Sequence, residues 1–187
     1  MDEDLADAFV KAGIRSVEIG LQSSSKETLK LMQRGLGTSH FIEGCKLLYE
    51  RGIQAEIGTI VGLPGDNEDS IKRTVDFVLN NNLGQLNIYR LQVLPGSEYH
   101  KMADELGLDY YPGPPYFIRN TPTLSESQIT SLVEELENTA SGPNDDYERD
   151  IKRIAYNITR REKRAKLKRH SSSPTTGSKS PLTVSQL

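Results

Sequence analysis

The chain holds a single cysteine, no tryptophan, four phenylalanines and three histidines in 187 residues. One thiol, Cys45, excludes an internal disulfide framework. It equally excludes a metal or iron–sulfur centre built from several thiolates of this sequence. Aromatic residues make up 6% and hydrophobic residues 35%, and the mean hydropathy is -0.54, a composition lean in core formers. No apolar run approaches the roughly 18 residues a membrane span needs, and the acidic opening MDEDLADAF lacks the basic start of a secretory signal. A cytoplasmic protein without a membrane partner is expected. His40, His100 and His170 stand without the partner spacing of a metal site or a catalytic base.

The net charge of -3 conceals an asymmetry. Residues 151–187 carry ten Lys/Arg and one acid, Glu162, which leaves thirteen basic and twenty-five acidic residues in the first 150. An acidic body with a basic tail argues against nucleic acid as a partner of the body. Any such binding would lie in the run Arg160 to Arg169, which lacks interleaved aromatics and is equally well explained as a solvated helix.

Hydrophobic periodicity predicts an alternating order of helices and strands. A helix over Asp2–Ala12 stops at Gly13, and Arg15–Leu21 alternates as a strand. A short helix follows over Lys26–Met32, and a second, capped by Ser39 and buried through Phe41, Ile42, Cys45, Leu47 and Leu48, stops at Gly52. Ile53–Val61 is a strand that breaks at Gly62-Leu-Pro-Gly65. Asp66 is expected to cap a helix running to Asn80, and Gln85–Leu94 is a third strand ending at Pro95-Gly96. Crossover helices of this length join parallel strands. The expected fold class is α/β, with about three parallel strands, over residues 1–108. Residues 109–143 read as a proline-rich arm (Tyr110–Tyr116) and a helix over Thr121–Glu137 capped near Ser125. Residues 144–170 read as a basic helix, and 171–187, rich in Ser, Thr, Pro and Gly, as a disordered tail.

In parallel βα architectures chemistry collects where strands end. The three ends here are Gln22-Ser23, Gly62–Gly65 and Leu94–Gly96. Gln22 offers a donor and an acceptor, and Arg34 a fork of donors for a carboxylate. Each also has a plain structural reading: Gln22 as a strand-end residue bonding a loop, Arg34 as a surface ion pair, Gly62–Gly65 as a tight turn, Cys45 as a small core residue.

The stretches Glu18-Ile-Gly-Leu-Gln-Ser23, Leu29…Met32-Gln-Arg34-Gly35, Gly58-Thr-Ile-Val-Gly-Leu-Pro-Gly65 and Leu91-Gln-Val-Leu-Pro-Gly96 occur in an order and spacing that resembles radical S-adenosylmethionine (radical SAM) enzymes. The likeness is to the region around the fourth to sixth strands of their partial TIM-like barrel. It covers about residues 1–130 and is strongest to the subgroup with a cobalamin-binding domain. The resemblance implies that Gln22 and Ser23 at the fourth strand's end, and Arg34 twelve residues after Gln22, meet the ribose and methionyl carboxylate of S-adenosylmethionine. It implies that Gly58, Ile60 and Gly62 pack on the adenine and that Leu94 closes that side. Gly65 stands where the family often has a glutamate. The Cys-x3-Cys-x2-Cys motif that holds the [4Fe-4S] cluster is absent, as is the Gly-Gly-Glu that holds the methionine amine. The expectation is therefore a fragment that contributes part of the S-adenosylmethionine cleft and is inactive alone. It would require an N-terminal half or partner subunit to supply the cluster and, in the manner of that subgroup, cobalamin. In the complete enzyme the implied chemistry is a 5′-deoxyadenosyl radical or methyl transfer. Two rivals remain: a non-catalytic nucleoside-binding or subunit module, and a basic-tailed nucleic-acid-binding protein. Three strands do not close a barrel, so the apolar faces of Val17–Leu21 and Ile57–Val61 are expected to stay open and the isolated chain to be marginal.

Overall fold

The computed structural model describes residues 1–35, 37–140 and Arg161; the expected basic helix and the tail lie outside the described residues. Helix α1 (Glu3–Ala12) leads into strand β1 (Ser16–Gln22), helices α2 (Lys26–Leu31) and α3 (Thr38–Glu50), strand β2 (Gln54–Val61), helix α4 (Glu68–Asn80) and strand β3 (Gln85–Arg90). The three strands form one parallel sheet in the order β1-β2-β3. A short helix α5 (Glu98–Lys101), strands β4 (Asp109–Tyr110) and β5 (Ile118–Asn120), and helix α6 (Glu126–Ala140) follow.

The caps explain several boundaries. Asp2 accepts from the Leu5 N–H, and Gly13 at φ 78° ends α1 in the left-handed conformation that glycine adopts without steric cost. Asn67, not Asp66, caps α4: its side chain accepts from the Ser70 N–H, while the Ser70 hydroxyl accepts from the Asn67 N–H, a reciprocal capping box. Ser39 does not cap α3; Gly37 holds that position with no side-chain bond. Strand β3 ends at Arg90 rather than Leu94. Beyond it the backbone pairs with the returning arm instead: Ile118 N–H bonds to Leu91 C=O and Val93 N–H to Tyr116 C=O, both at 2.9 Å. Helix α6 starts at Glu126 rather than Thr121, because Thr121 is spent on a turn in which its hydroxyl accepts from the Leu124 N–H.

The two faces of the sheet differ in chemistry. Ala55, Ile57 and Val61 of β2 are completely buried and share a core with Cys45 and Leu48 of α3 and with Ile71, Val75 and Val78 of α4. The apolar faces are thus covered by their own crossover helices, and Val17 and Ile19 pack against the same core. The other face carries Glu18 and Tyr89, which are exposed, the half-buried Ile60, and Gly58, which is buried. The expectation of exposed apolar strands is corrected: alternation along each strand, with period two, turns the apolar side to the helices and leaves a polar, glycine-bearing side open. Among the described residues no strand pairs with the free edge of β1.

Candidate functional site

The open face deepens at the carboxyl ends of the strands into a cleft of about 670 Å³, within the range of small-molecule sites. Glu18 and Gln22 of β1, Gly58 and Ile60 of β2, and Tyr89 and Arg90 of β3 line it. Leu94, Phe117 and Glu137 complete its rim. Four of the seven residues singled out in the sequence, Gln22, Gly58, Ile60 and Leu94, therefore meet in one place.

Gln22 reaches the cleft through an unusual backbone. Its φ is +68°, and the Ser23 N–H bonds back to the Leu21 carbonyl at 2.9 Å. That i-to-i+2 bond with positive φ is the rare, strained form of the γ-turn. Pairing with β2 shifts register at the same point, Gly20 facing Gly58 but Gln22 facing Thr59. The side chain then folds back over Gly20, and its Nε2 occupies the space a β-carbon there would need. Among the described residues its Oε1 is buried without a hydrogen-bond partner.

The other three residues go elsewhere. Ser23 is 1% exposed and turns inward, donating to Asp66 Oδ1 at 3.3 Å. Gly62, at φ +94°, lies under Ile118, whose Cγ2 would stand 2.7 Å from an added β-carbon; the close approach this glycine permits is by the returning arm. Arg34 donates to the Gly20 carbonyl at 3.3 Å and lines a second cleft of about 360 Å³ with Ile19, Leu29, His40, Phe41 and Cys45. Gln22 does not border that second cleft. Cys45 is 3% exposed, and burial pushes its thiol up to about 11.

Two participants escaped sequence reasoning. Tyr89 lays its ring across Gly58, Cε2 standing 3.3 Å from the site of a β-carbon there, and its hydroxyl donates to Glu18 at 3.0 Å. That bond is the largest cause of its raised phenol pKa. The signal was available: Tyr89 pairs with Ile60 in register and so faces the same side. Asp66 is 1% exposed, and one of its oxygens, Oδ1, accepts from Ser70 at 2.6 Å, Thr28 at 2.8 Å and Ser23. Among the described residues its Oδ2 has no partner. Desolvation raises its pKa, while the three hydroxyls and Arg73 pull the other way. No sequence signal separated a buried acid from a helix cap at that position, since both suit the residue after Pro-Gly.

Among the described residues no group of three or more His, Cys, Asp or Glu could hold a metal ion, and no helix is long and apolar enough to cross a membrane.

Known proteins resemble the chain in sequence and in fold. Residues 1–78 match the sequence model of the Radical SAM superfamily. The chain is 29% identical over 107 residues to an uncharacterized protein of Methanocaldococcus jannaschii, covering 56% of this chain and 21% of that one. It is 29% identical over 97 residues to the tRNA uridine(34) acetyltransferase of Methanocaldococcus infernus, covering 50% and 18%. The chain thus spans about a fifth to a third of the length of the first curated relatives it matches. In fold it is similar to a radical S-adenosylmethionine methyltransferase from Kitasatospora setae solved with tryptophan and a SAM analogue. That likeness has a TM-score of 0.60 at 17% identity and covers 78% of this chain and 35% of that one.

Proposed function

With residues 1–78 belonging to the radical SAM superfamily, we propose that this chain forms one wall of an S-adenosylmethionine cleft. The carrying observation is that Gln22, Gly58, Ile60 and Leu94 converge on a single cleft at the strand ends. Each has a chemical task there. The Gln22 amide, whose Oε1 has no partner among the described residues, offers an acceptor to a ribose hydroxyl or an ammonium group. Ile60 and the half-exposed Leu94 give the apolar surface an adenine needs. Glu18 and Glu137 on the rim favour a ligand that carries positive charge, as the sulfonium and ammonium of S-adenosylmethionine do. Arg34 is assigned no ligand contact in this cleft, because it lines a different one.

The donor set does not fit an iron–sulfur cluster. Such a cluster takes several thiolates, whereas the one thiol, Cys45, is buried and held neutral. We propose that the cluster ligands, and any cobalamin, come from an N-terminal half or partner subunit, received at the edge of β1 that is unpaired among the described residues. The 5′-deoxyadenosyl radical or methyl-transfer chemistry is a property of that assembly. The lone cysteine favours a second reading: a non-catalytic nucleoside-binding or subunit module. Supplying a cluster-bearing N-terminal half separates the two, since only the first reading expects turnover.

The cleft itself is tested by calorimetric titration of the purified chain with S-adenosylmethionine and S-adenosylhomocysteine. Saturable binding is expected, weakened roughly tenfold in Gln22→Ala by loss of about one hydrogen bond to a charged or polar group. Absence of binding, or equal binding by the variant, overturns the reading. The nucleic-acid reading predicts RNA binding that falls steeply with salt and disappears when residues 152–187 are deleted.

A further inference from the structure

We infer that Asp66 is a positioning residue for the cleft: through Ser23 it holds the strained turn that aims the Gln22 amide over Gly20. The inference rests on the cleft reading above for its ligand, and on geometry alone for the linkage.

A γ-turn of positive φ at a non-glycine residue persists only where its surroundings over-determine it. Gln22 is such a residue. On its amino-terminal side the chain is fixed by the β1–β2 ladder. On its carboxyl side the first fixing point is Ser23, whose hydroxyl makes two bonds. It donates to Asp66 Oδ1 at 3.3 Å and accepts from the Ser25 N–H at 3.1 Å. The second of these is local and moves with the loop. The first ties the turn residue itself to another part of the fold, while one residue later Ser24 anchors the following loop to α4 through its N–H and hydroxyl on Thr74, both at 3.0 Å.

Asp66 is suited to be that tie because it is itself immobilised from four directions. It ends a turn in which its N–H bonds to the Leu63 carbonyl at 3.2 Å. Pro64 and Gly65 (φ +81°) stand in the places a type II turn requires. Its carboxylate holds Thr28 of α2 and Ser70 of α4, and its carbonyl receives the Thr123 hydroxyl from the loop before α6. A buried carboxylate is costly unless hydrogen-bonded; Ser70 at 2.6 Å and Thr28 at 2.8 Å fix the oxygen with short, charge-assisted bonds, and Ser23 joins it at 3.3 Å. The same acid therefore joins the end of β1 to the end of β2, the two strands whose residues Gln22 and Ile60 face the ligand. Its neighbours from every packed element are Ser23, Thr28, Ser70 and Arg73, with Tyr99 close enough to sense its charge.

A positioning role is separable from mere support by comparing two members of the same cage. Ser23→Ala breaks the link to Gln22 and leaves Thr28 and Ser70 on Asp66. Thr28→Val removes one cage bond of the same kind without touching the turn. The experiment uses the full chain, with the Gln22 side-chain amide followed by NMR and the titrant S-adenosylhomocysteine followed by calorimetry. Ser23→Ala and Asp66→Ala are expected to shift the Gln22 amide resonances and weaken binding roughly fivefold, one hydrogen bond's worth. Thr28→Val is expected to lower the unfolding midpoint as Ser23→Ala does while leaving both readouts within about twofold of wild type. In a Gln22→Ala background, Ser23→Ala should add nothing to the loss of affinity.

Equal effects of Ser23→Ala and Thr28→Val on the Gln22 amide, or none from Ser23→Ala and Asp66→Ala, overturn the inference. Failure of the wild-type chain to bind any nucleoside overturns the cleft reading instead. The amide resonances then still decide whether Asp66 positions Gln22.

Discussion

The side-chain amide of Gln22 fills the space above Gly20 that a β-carbon would need, so the identity of residue 20 is dictated by a residue two places further on. The pair explains a glycine in the middle of a strand, where it is otherwise unfavourable. Gly20→Ala is expected to expel the amide from its place in the cleft. Because the displaced group is the end of a flexible side chain, the fold should survive with a loss of about 1 kcal/mol. Nucleoside affinity should fall as far as in Gln22→Ala. Urea unfolding and calorimetry on the two variants check this, and an unaltered affinity would show that the amide does not meet the ligand.

Gly62 is constrained by the arm rather than by a ligand. An alanine there adopts φ +94° and meets Ile118 Cγ2 at 2.7 Å. A left-handed backbone for an L-residue costs about 1–2 kcal/mol and overpacking a further ~1–3, so Gly62→Ala should destabilise by roughly 2–5 kcal/mol. Only the overpacking part depends on Ile118. The double variant Gly62→Ala/Ile118→Ala should therefore be less destabilised than the two single losses together, a coupling read from a double-mutant cycle in urea. Strict additivity would mean the arm moves away freely.

Asp66 gives the chain a pH dependence of definite sign. Burial raises its carboxyl pKa above the ordinary 3.8, so the folded state binds the proton more tightly than the unfolded chain. Stability from this group is complete below the unfolded value and is lost as pH rises through the higher folded value. The amide introduced by Asp66→Asn cannot titrate. The stability of wild type relative to that variant should therefore fall as pH increases from 3.8 upward and level off once Asp66 is ionised. Denaturant unfolding at a series of acidic pH values measures the difference. A rise instead of a fall would mean that the three hydroxyls and Arg73 outweigh desolvation.

Much of this was legible in the sequence because it depends on local patterns. The apolar stripes of α3 and α4 and the β-branched run of β2 place three parallel strands and their crossovers within a residue or two, except at the end of β3, which stops at Arg90 rather than Leu94. The convergence of Gln22, Gly58, Ile60 and Leu94 follows from strand ends meeting on one side of a parallel sheet. What was not legible depends on contacts across long separations. Asp66 and Asn67 are adjacent polar residues ahead of a helix, and only the burial of the first beneath Ser23 and Thr28 decides which one caps. Arg34 stands twelve residues from Gln22 in sequence, yet its guanidinium binds the Gly20 carbonyl and lines another cleft. The direction of the apolar faces was misjudged because alternation shows that two faces differ, not which one the helices cover.

The lone thiol supplies the sharpest test of what this chain can do chemically. Cys45 lies in the core beside Leu48, 3% exposed, and desolvation pushes its pKa up to about 11. At pH 8 only about one molecule in a thousand then carries the thiolate that binds iron or attacks an electrophile. Iodoacetamide is expected to leave the native chain unmodified and to label it in urea, so that labelling reports unfolding. Incubation with iron and sulfide under reducing conditions should leave the chain without the visible absorbance of a cluster. The same treatment of an assembly with a cysteine-bearing N-terminal half should produce it. A cluster formed on the isolated chain, or on a dimer sharing two Cys45 thiolates, would show that the helix carrying this residue can open and would remove the reason for placing the ligands elsewhere. Failure in both samples, with nucleoside binding retained, would support the non-catalytic module, since the cleft would then exist without a route to the radical.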